Sequence, residues 1–154
     1  MAINIRPAMQ QDMTALQGML DLLNRERRQL WSQKNKVFHN RLKPLSKLRK
    51  SDLNKNIFIV AEVGGEIAGF ILGFVTSRKG YKLSNLGYLD ALYVKPAFRS
   101  KGVAKKLTDA VVKSFKSKGC DHMTTHTDAE NKVAQKWYEG AGMSQATVEY
   151  WKKL

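Results

Sequence analysis

Arg99, Ser100, Lys101, Gly102, Val103, Ala104 and Lys105 join an apolar run, YLDALYVKP, to a helical pattern that continues through KKLTDAVVKSF. The N–H groups that open a helix have no intrahelical partner, and the helix dipole leaves that end partly positive. A phosphate or pyrophosphate suits such an end when the backbone can come close. Gly102 carries no side chain to obstruct the approach, and Arg99, Lys101 and Lys105 add positive charge. The loop matches neither GxxxxGK[ST] nor GxGxxG, so the two common nucleotide-loop patterns do not apply. Taken alone, these residues fit both an anion cradle and a plain strand-to-helix turn.

The overall charge points the same way. With 27 Lys and Arg against 13 Asp and Glu, the chain carries +14. A field of that sign draws in nucleotides, nucleic acid, acidic proteins or anionic lipid. Much of it comes from residues 25–50, where Glu26 is the only acid. Such a run reads either as a solvated basic face or as the footprint of a polyanion. Trp31 and Phe38 interleave with its charges as stacking surfaces, without a recognised nucleic-acid motif. A length of 154 residues with 43% hydrophobic content fits one globular domain over 1–154. No apolar run approaches the roughly 18–20 residues of a membrane span, and the N-terminus lacks the order of a secretory signal. Cys120 stands alone, so no internal disulfide or CxxC metal pattern forms, and no metal is expected. The expected location is the cytoplasm.

The elements that must position the junction follow from periodicity. INIRPA (3–8) reads as a strand. Met13, Leu16, Leu20 and Leu23 recur at helical spacing, with Asp12 as a candidate N-cap. Residues 25–50 read as a second, broken helix plus a mobile loop, with Leu42, Leu45 and Leu48 as a thin stripe interrupted by Pro44. IFIVAEV (57–63) and IAGFILGFVTS (67–77) are strands joined by a hairpin turn at Gly64–Gly65–Glu66, and GYLDALYV (87–94) is another. Residues 103–119 form a helix with Leu107, Val111, Val112 and Phe115 on one face and glycine at its end. HMTTHTD (122–128) is a strand, NKVAQKWYEG (131–140) a helix closed by glycine, and QATVEYWKK (145–153) a last strand. The order predicts an α/β (α+β) fold: a mixed sheet covered by helices, with one crossover unit at residues 87–128.

LYVKPAFRSKGVAKKL resembles the acyl-CoA signature of the GNAT acyltransferase superfamily, whose core [RQ]-x-x-G-x-[GA] falls on Arg99, Gly102 and Ala104. NKVAQKWYEGAGM is similar to the family's second signature, N-x-x-A-x-x-x-Y-x-x-x-G-[FM], through Asn131, Ala134, Tyr138, Gly142 and Met143. The opening IRPAMQQDM and the order of elements are also similar, so the resemblance covers essentially the whole chain. It implies a central sheet of six to seven strands and acetyl-CoA as the acyl donor, with no metal. The pyrophosphate would lie on the N–H groups of roughly Lys101 to Ala104, within the loop Arg99–Lys105. The backbone of Leu92, Tyr93 and Val94 would run beside the pantetheine arm like an added strand. In the family this strand splays from the next one, and the thioester sits in the gap.

Amide formation then needs three services. The acceptor amine, whose pKa is ordinarily about 10.4 when it is a lysine, must lose a proton. The oxyanion needs a donor, for which a backbone N–H near Leu92 to Val94 is available in the family geometry. The departing thiolate needs a proton, and Tyr138 is the family-matched donor. Asn131 would hydrogen-bond the pantetheine, cap its helix, or do both. Two residues are candidate bases. Asp90 shares strand parity with Leu92 and Val94. His126, five residues before Asn131, stands where some protein N-terminal acetyltransferases of the family carry glutamate; a histidine has an ordinary pKa of about 6.5. Water could also carry the proton. His39, His122 and Cys120 receive no role.

The leading expectation is an N-acetyltransferase acting by direct attack of a primary amine, on a small molecule or a protein N-terminus. A protein this positive should repel polycations such as polyamines and aminoglycosides. The alternative is a nucleic-acid or ribosome-binding module on the same scaffold, with polyanion contact through residues 25–50. No membrane partner is expected, and the chain is expected as a monomer or homodimer.

Overall fold

β-Branched and aromatic residues favour pleated backbone, and five segments take it: β1 (Asn4–Pro7), β2 (Ile57–Val63), β3 (Glu66–Thr76), β4 (Leu86–Val94) and β5 (His122–Thr125). The computed structural model describes residues 1–30, 47–77, 85–150 and 152. The strands lie side by side in chain order, β1 to β5. Neighbours are antiparallel except β4 and β5, which run parallel. Gly64 and Gly65, with φ of +58° and +80°, make the β2–β3 turn in the left-handed conformation that such tight hairpins demand. Central β3 is buried from Ala68 to Gly73, which is why its sequence is apolar without alternation.

Among the described residues four helices accompany the sheet: α1 (Met13–Gln29), α2 (Lys50–Lys55), α3 (Val103–Ser117) and α4 (Lys132–Gly140). The chain makes two compact units, Met1–Leu23 with Lys47–His126, and Asn24–Ser46 with Thr127–Leu154. The first holds the five strands, α2, α3 and most of α1; the second holds α4 and the end of α1. In the first unit α3 packs on β2, β3 and β4, burying Val103, Leu107, Val111 and Phe115 at four-residue spacing. Val112, expected on that face, is only half-buried. The Phe115 ring lies on two glycines of adjacent strands. A Cβ on Gly73 would sit 2.7 Å from Phe115 Cζ, and one on Gly87 would collide with the ring. The opposite face of the sheet carries Phe58, Phe70 and Tyr93, with ring centroids 5.5 and 6.4 Å apart in succession.

Several expectations change. A sheet of six to seven strands is not found; the described residues contain five. The segment expected as a last strand, 145–153, has no strand over its described residues 145–150. Alternation makes a strand only where a partner can hydrogen-bond it, and its own unit contains no strand among the described residues. Val148 and Tyr150 are accordingly exposed. β5 stops at Thr125 rather than residue 128, because its register with β4 ends there. The broken helix expected within residues 25–50, with Trp31, Phe38, His39 and its leucine stripe to Leu45, lies mostly outside the described residues. Its last residue begins α2, where Asp52 accepts the Arg49 N–H at 2.7 Å.

Asp12 also differs from expectation. It ends a 3₁₀ turn, Gln10–Asp12, rather than capping α1 from outside. Arg6 explains the change: its guanidinium forks onto both Asp12 oxygens at 2.7 and 3.0 Å, and Asp12 also accepts the Met9 N–H at 2.7 Å. Glu62 takes the remaining side of Arg6 at 3.1 Å. The Arg6 hydrogen bonds lower the Asp12 pKa against the opposing effect of burial, with the Met9 N–H assisting. A depressed native pKa means that this carboxylate stabilises the fold above about pH 4, its unfolded value, and loses that contribution as pH falls through the native value. Asp12→Asn should therefore cost about 3 kcal/mol at pH 7, the low end for breaking a buried ion pair because Glu62 still holds Arg6. Urea melts should show this deficit shrinking as pH drops below about 4, where wild type loses the same charge.

Candidate active site

A 3₁₀ turn, Pro96–Phe98, carries the chain from β4 into the loop that opens α3. Ser100 and Gly102 both take left-handed backbone, at φ +60° and +80°. Backbone of this kind gathers successive N–H groups into an anion-binding concavity. The first backbone bond into the helix runs from Lys106 N–H to Gly102 C=O at 3.1 Å, so the amides of Val103, Ala104 and Lys105 precede the ladder. A Cβ built on Gly102 meets no heavy atom within 4 Å. Glycine is needed here for its φ, and the loop faces open space.

The basic side chains divide their work. Arg99 Nε donates to the Val94 carbonyl at 2.9 Å, and its guanidinium lies 5.5 Å from the Tyr93 ring centroid. It ties the loop to the end of β4. Lys101 Nζ lies 5.9 Å from the Phe98 ring centroid, and exposed Lys105 pairs with Asp109 at 2.8 Å. Val103 is buried and Ala104 accepts Thr108 Oγ1 at 2.9 Å, so both serve the loop through their backbone.

Where β4 meets β5, the parallel register runs from Leu86↔His122 to Leu89↔Thr125 and stops. Thr125 Oγ1 closes it with a 2.9 Å bond to the Leu89 carbonyl. β4 continues to Val94, five residues further. At the same place its register with β3 skips Asp90, since Leu72 faces Ala91 and Gly73 faces Leu89. Asp90 is thus the extra residue of a β-bulge, which bends a strand and adds twist. The bulge changes the expected grouping of side chains. Gly87 and Leu89 share the α3 face before it, Leu92 and Val94 after it, and alternation no longer assigns Asp90 to their side.

Hydrogen-bond direction along β4 follows from one bond. Lys95 N–H donates to Ala68 at 2.9 Å. In an antiparallel ladder alternate residues point their backbone groups at the partner, so Tyr93 and Ala91 address β3. Leu92 and Val94 direct theirs to the other side, where the register with β5 has ended. His126 immediately follows the last paired residue of β5; it is exposed, with Nδ1 3.0 Å from the Tyr88 hydroxyl. His122 and His126 have HxxxH spacing, but on extended backbone that places them about 13 Å apart. Each has its own neighbour, Asp121 at 2.9 Å for His122 and Tyr88 for His126.

In the second unit, Asn131 is the N-cap of α4 and accepts the Ala134 N–H at 3.1 Å. Gly142, at φ +82°, closes the helix rather than Gly140. Its N–H meets Glu139, and the Met143 N–H meets the Tyr138 carbonyl, both at 3.0 Å, which is the double bond of a Schellman ending. Tyr138 is half-buried and meets the Trp137 ring edge-on, with centroids 5.5 Å apart.

The sequence profile of the acetyltransferase (GNAT) family matches residues 16–143. The chain belongs to the GNAT family. Among GNAT relatives, aminoglycoside N(6')-acetyltransferase type 1 of Salmonella typhimurium strain LT2 is 36% identical over 83 residues. That match covers 50% of this chain and 57% of the relative, so the chain spans little more than half the length of this curated relative. The solved structure of AAC(6')-Iy with the bisubstrate analogue CoA-S-monomethyl-acetylneamine has a TM-score of 0.72 at 23% identity, over 100% of this chain and 99% of that one. Ribosomal-protein-alanine N-acetyltransferase from Brucella melitensis biovar Abortus 2308 has a TM-score of 0.67 at 18% identity, over 99% and 100% of the two chains. These two structures share the GNAT fold.

The first unit contains the loop Arg99–Lys105, the end of β4 tied to it by Arg99, Asp90 and His126; Tyr138 and Asn131 belong to the second. Sequence reasoning missed the bulge at Asp90, the left-handed Ser100 and Tyr88 as the neighbour of His126. No local pattern announces the bulge or the Tyr88–His126 contact, because each depends on a cross-strand register, and left-handed backbone is uncommon for serine. The loop generates a prediction. Coenzyme A should raise the melting temperature by binding the folded state, and Gly102→Glu should abolish that rise by placing a carboxylate in the anion cradle. Gly102→Ala is the control: it should lower stability by about 1–2 kcal/mol through strain at positive φ, yet keep the coenzyme A shift. Equal shifts in all three proteins, measured by thermal melts, would exclude the loop as the phosphate site.

Proposed function

We propose that the chain is an N-acetyltransferase that moves the acetyl group of acetyl-CoA directly onto a primary amine. The observation that carries this reading is the stretch of β4 beyond the end of its register with β5, together with the loop amides that open α3. The cradle suits a pyrophosphate, and the outward-directed backbone of Leu92 and Val94 suits a pantetheine amide chain. The same backbone would offer an N–H to the tetrahedral oxyanion. When bound, acetyl-CoA supplies the activated thioester; the residues of this chain hold it and move protons. We assign His126 as the base that takes the acceptor's proton, with Asp90 as the second candidate. Tyr138 is assigned, on the family motif, to protonate the departing thiolate. Asn131 acts through its cap of α4, with pantetheine contact a further role. The family match runs through residues of both units, which supports one functional domain over 1–154.

For the acceptor, the relatives' names indicate an aminoglycoside in one case and a ribosomal-protein alanine in another. The +14 charge of this chain disfavours an aminoglycoside. We assign a neutral or anionic amine instead, a small molecule or the N-terminus of an acidic or nucleic-acid-bound protein, with the basic segment 25–50 as its polyanion contact. An acceptor screen with acetyl-CoA, reading released thiol, tests this. Neutral amines or acidic peptides should outpace aminoglycosides and polyamines by about tenfold or more at low salt, with the gap narrowing as salt screens the field. A preference for the polycations at low salt would overturn the assignment.

Tyr138→Phe tests the acid. The variant keeps its ring, so packing and coenzyme A affinity should hold while kcat falls by about 10²-fold, the lower end for acid catalysis because a thiol of pKa near 8.5 is already a fair leaving group. A rate within about twofold of wild type under chemistry-limited turnover would return Tyr138 to a packing role, since acid catalysis contributes far more than that.

A further inference from the structure

Phe74 and Tyr88 form a cross-strand pair on β3 and β4. Their neighbours Gly73 and Gly87 lie under Phe115, so this pair occupies the sheet face opposite α3. The two rings stack with centroids 5.0 Å apart and planes 27° apart. His126 extends the row, its ring 5.6 Å from that of Tyr88 at 36°, with Nδ1 3.0 Å from the tyrosine hydroxyl. Tyr88 stands two residues before the bulge at Asp90, and His126 one residue past the end of β5. Both flank the point where β4 and β5 part.

We infer that Tyr88 is the positioning residue of His126. A neutral imidazole has one N–H and one lone pair, and the hydrogen bond at one nitrogen decides which the other carries. With Nδ1–H donating to the Tyr88 oxygen, Nε2 keeps its lone pair and serves as the base. The stack restrains the ring plane, which an exposed histidine would otherwise rotate freely. This inference rests on the reading of His126 as the acceptor's base. In that step the acceptor ammonium gives one proton to Nε2. Its nitrogen then bonds to the acetyl carbon and releases its second proton to water, and the C–S bond breaks as the thiolate takes a proton from Tyr138. The imidazolium afterwards gives its proton to water, from which Tyr138 is replenished. While the ring is cationic, its Nδ1–H bond to Tyr88 becomes charge-assisted and stronger. Tyr88 therefore acts on the proton-transfer step and not on the acyl donor.

A kinetic cycle with Tyr88→Phe, His126→Gln and the double variant tests this, paired with ¹⁵N NMR of the His126 ring. His126→Gln should lower kcat/KM for the acceptor by about 10²-fold, as loss of a general base does. Tyr88→Phe keeps the stacked ring and should lower it by about tenfold or more, the worth of one hydrogen bond to a charged group, with KM for acetyl-CoA unchanged. The double variant should be no slower than His126→Gln alone. The neutral ring should carry its proton on Nδ1 in wild type and on Nε2 in Tyr88→Phe. If the Tyr88→Phe loss persists in full on top of His126→Gln, or if the tautomer is the same in both proteins, the positioning role is overturned while the base survives. If His126→Gln turns over like wild type, the base reading itself fails and the role of Tyr88 falls with it.

Discussion

The contact on which the site depends is an aromatic ring laid on two bare backbones. Phe115 of α3 rests where Gly73 and Gly87 lie diagonally across β3 and β4. Any larger residue at either position would push the helix outward, and overpacking of this kind costs about 1–3 kcal/mol. The close approach fixes the height of α3 above the sheet. A helix of 15 residues is about 22 Å long, so anchoring it near its C-terminus also determines where its N-terminus lands. The same turn closes the helix. Gly119, at φ +79°, donates to Lys116, and Cys120 donates to the Phe115 carbonyl, both at 3.0 Å. Cys120 is buried at this turn, and the chain then enters β5 with its direction set.

At the other end of α3, geometry turns into chemical capacity. In open α/β sheets, ligands bind in the crevice beyond the carboxyl ends of strands where neighbours diverge. Here the pairing of β4 changes twice within one residue. The register of β5 ends at Leu89, and the bulge of β4 falls at Asp90. Beyond that point β4 stays bonded to β3 on one side and turns Leu92 and Val94 to the other. Arg99 strengthens the arrangement: by bonding the Val94 carbonyl and covering Tyr93 it binds the loop to the strand. A basic residue that reads as a phosphate ligand in the sequence is thus first a strut for the loop.

The second family signature has a mechanical explanation of its own. Asn131 starts α4 by capping Ala134, and Gly142 ends it in the left-handed conformation. The spacing of the motif is the length of the helix between two caps. That places Tyr138 in its last turn, where its carbonyl receives the Met143 N–H. Constraints of this kind act over one helix, and they are readable without knowing anything about the rest of the chain.

The sequence by itself determined the local features: the strand-to-helix junction at residues 99–105, the hairpin at Gly64–Gly65, most of the apolar face of α3 and the start of α4. Each rests on short-range rules, helix dipoles, turn conformations and side-chain periodicity, which operate within a few residues. Tertiary structure decided the rest. Asp12 reads as a helix cap, but Arg6, which also pairs with Glu62, draws its carboxylate into an ion-pair network that joins β1 to β2. Residues 145–150 alternate like a strand yet form none, because a strand requires a partner that the alternation does not name. Asp90 has the parity of Leu92 until the register with β3 drops it. Tyr88 and His126 are 38 residues apart in sequence and meet only because β4 and β5 run parallel. These outcomes depend on which backbones pair and in what register, a choice made by long-range packing.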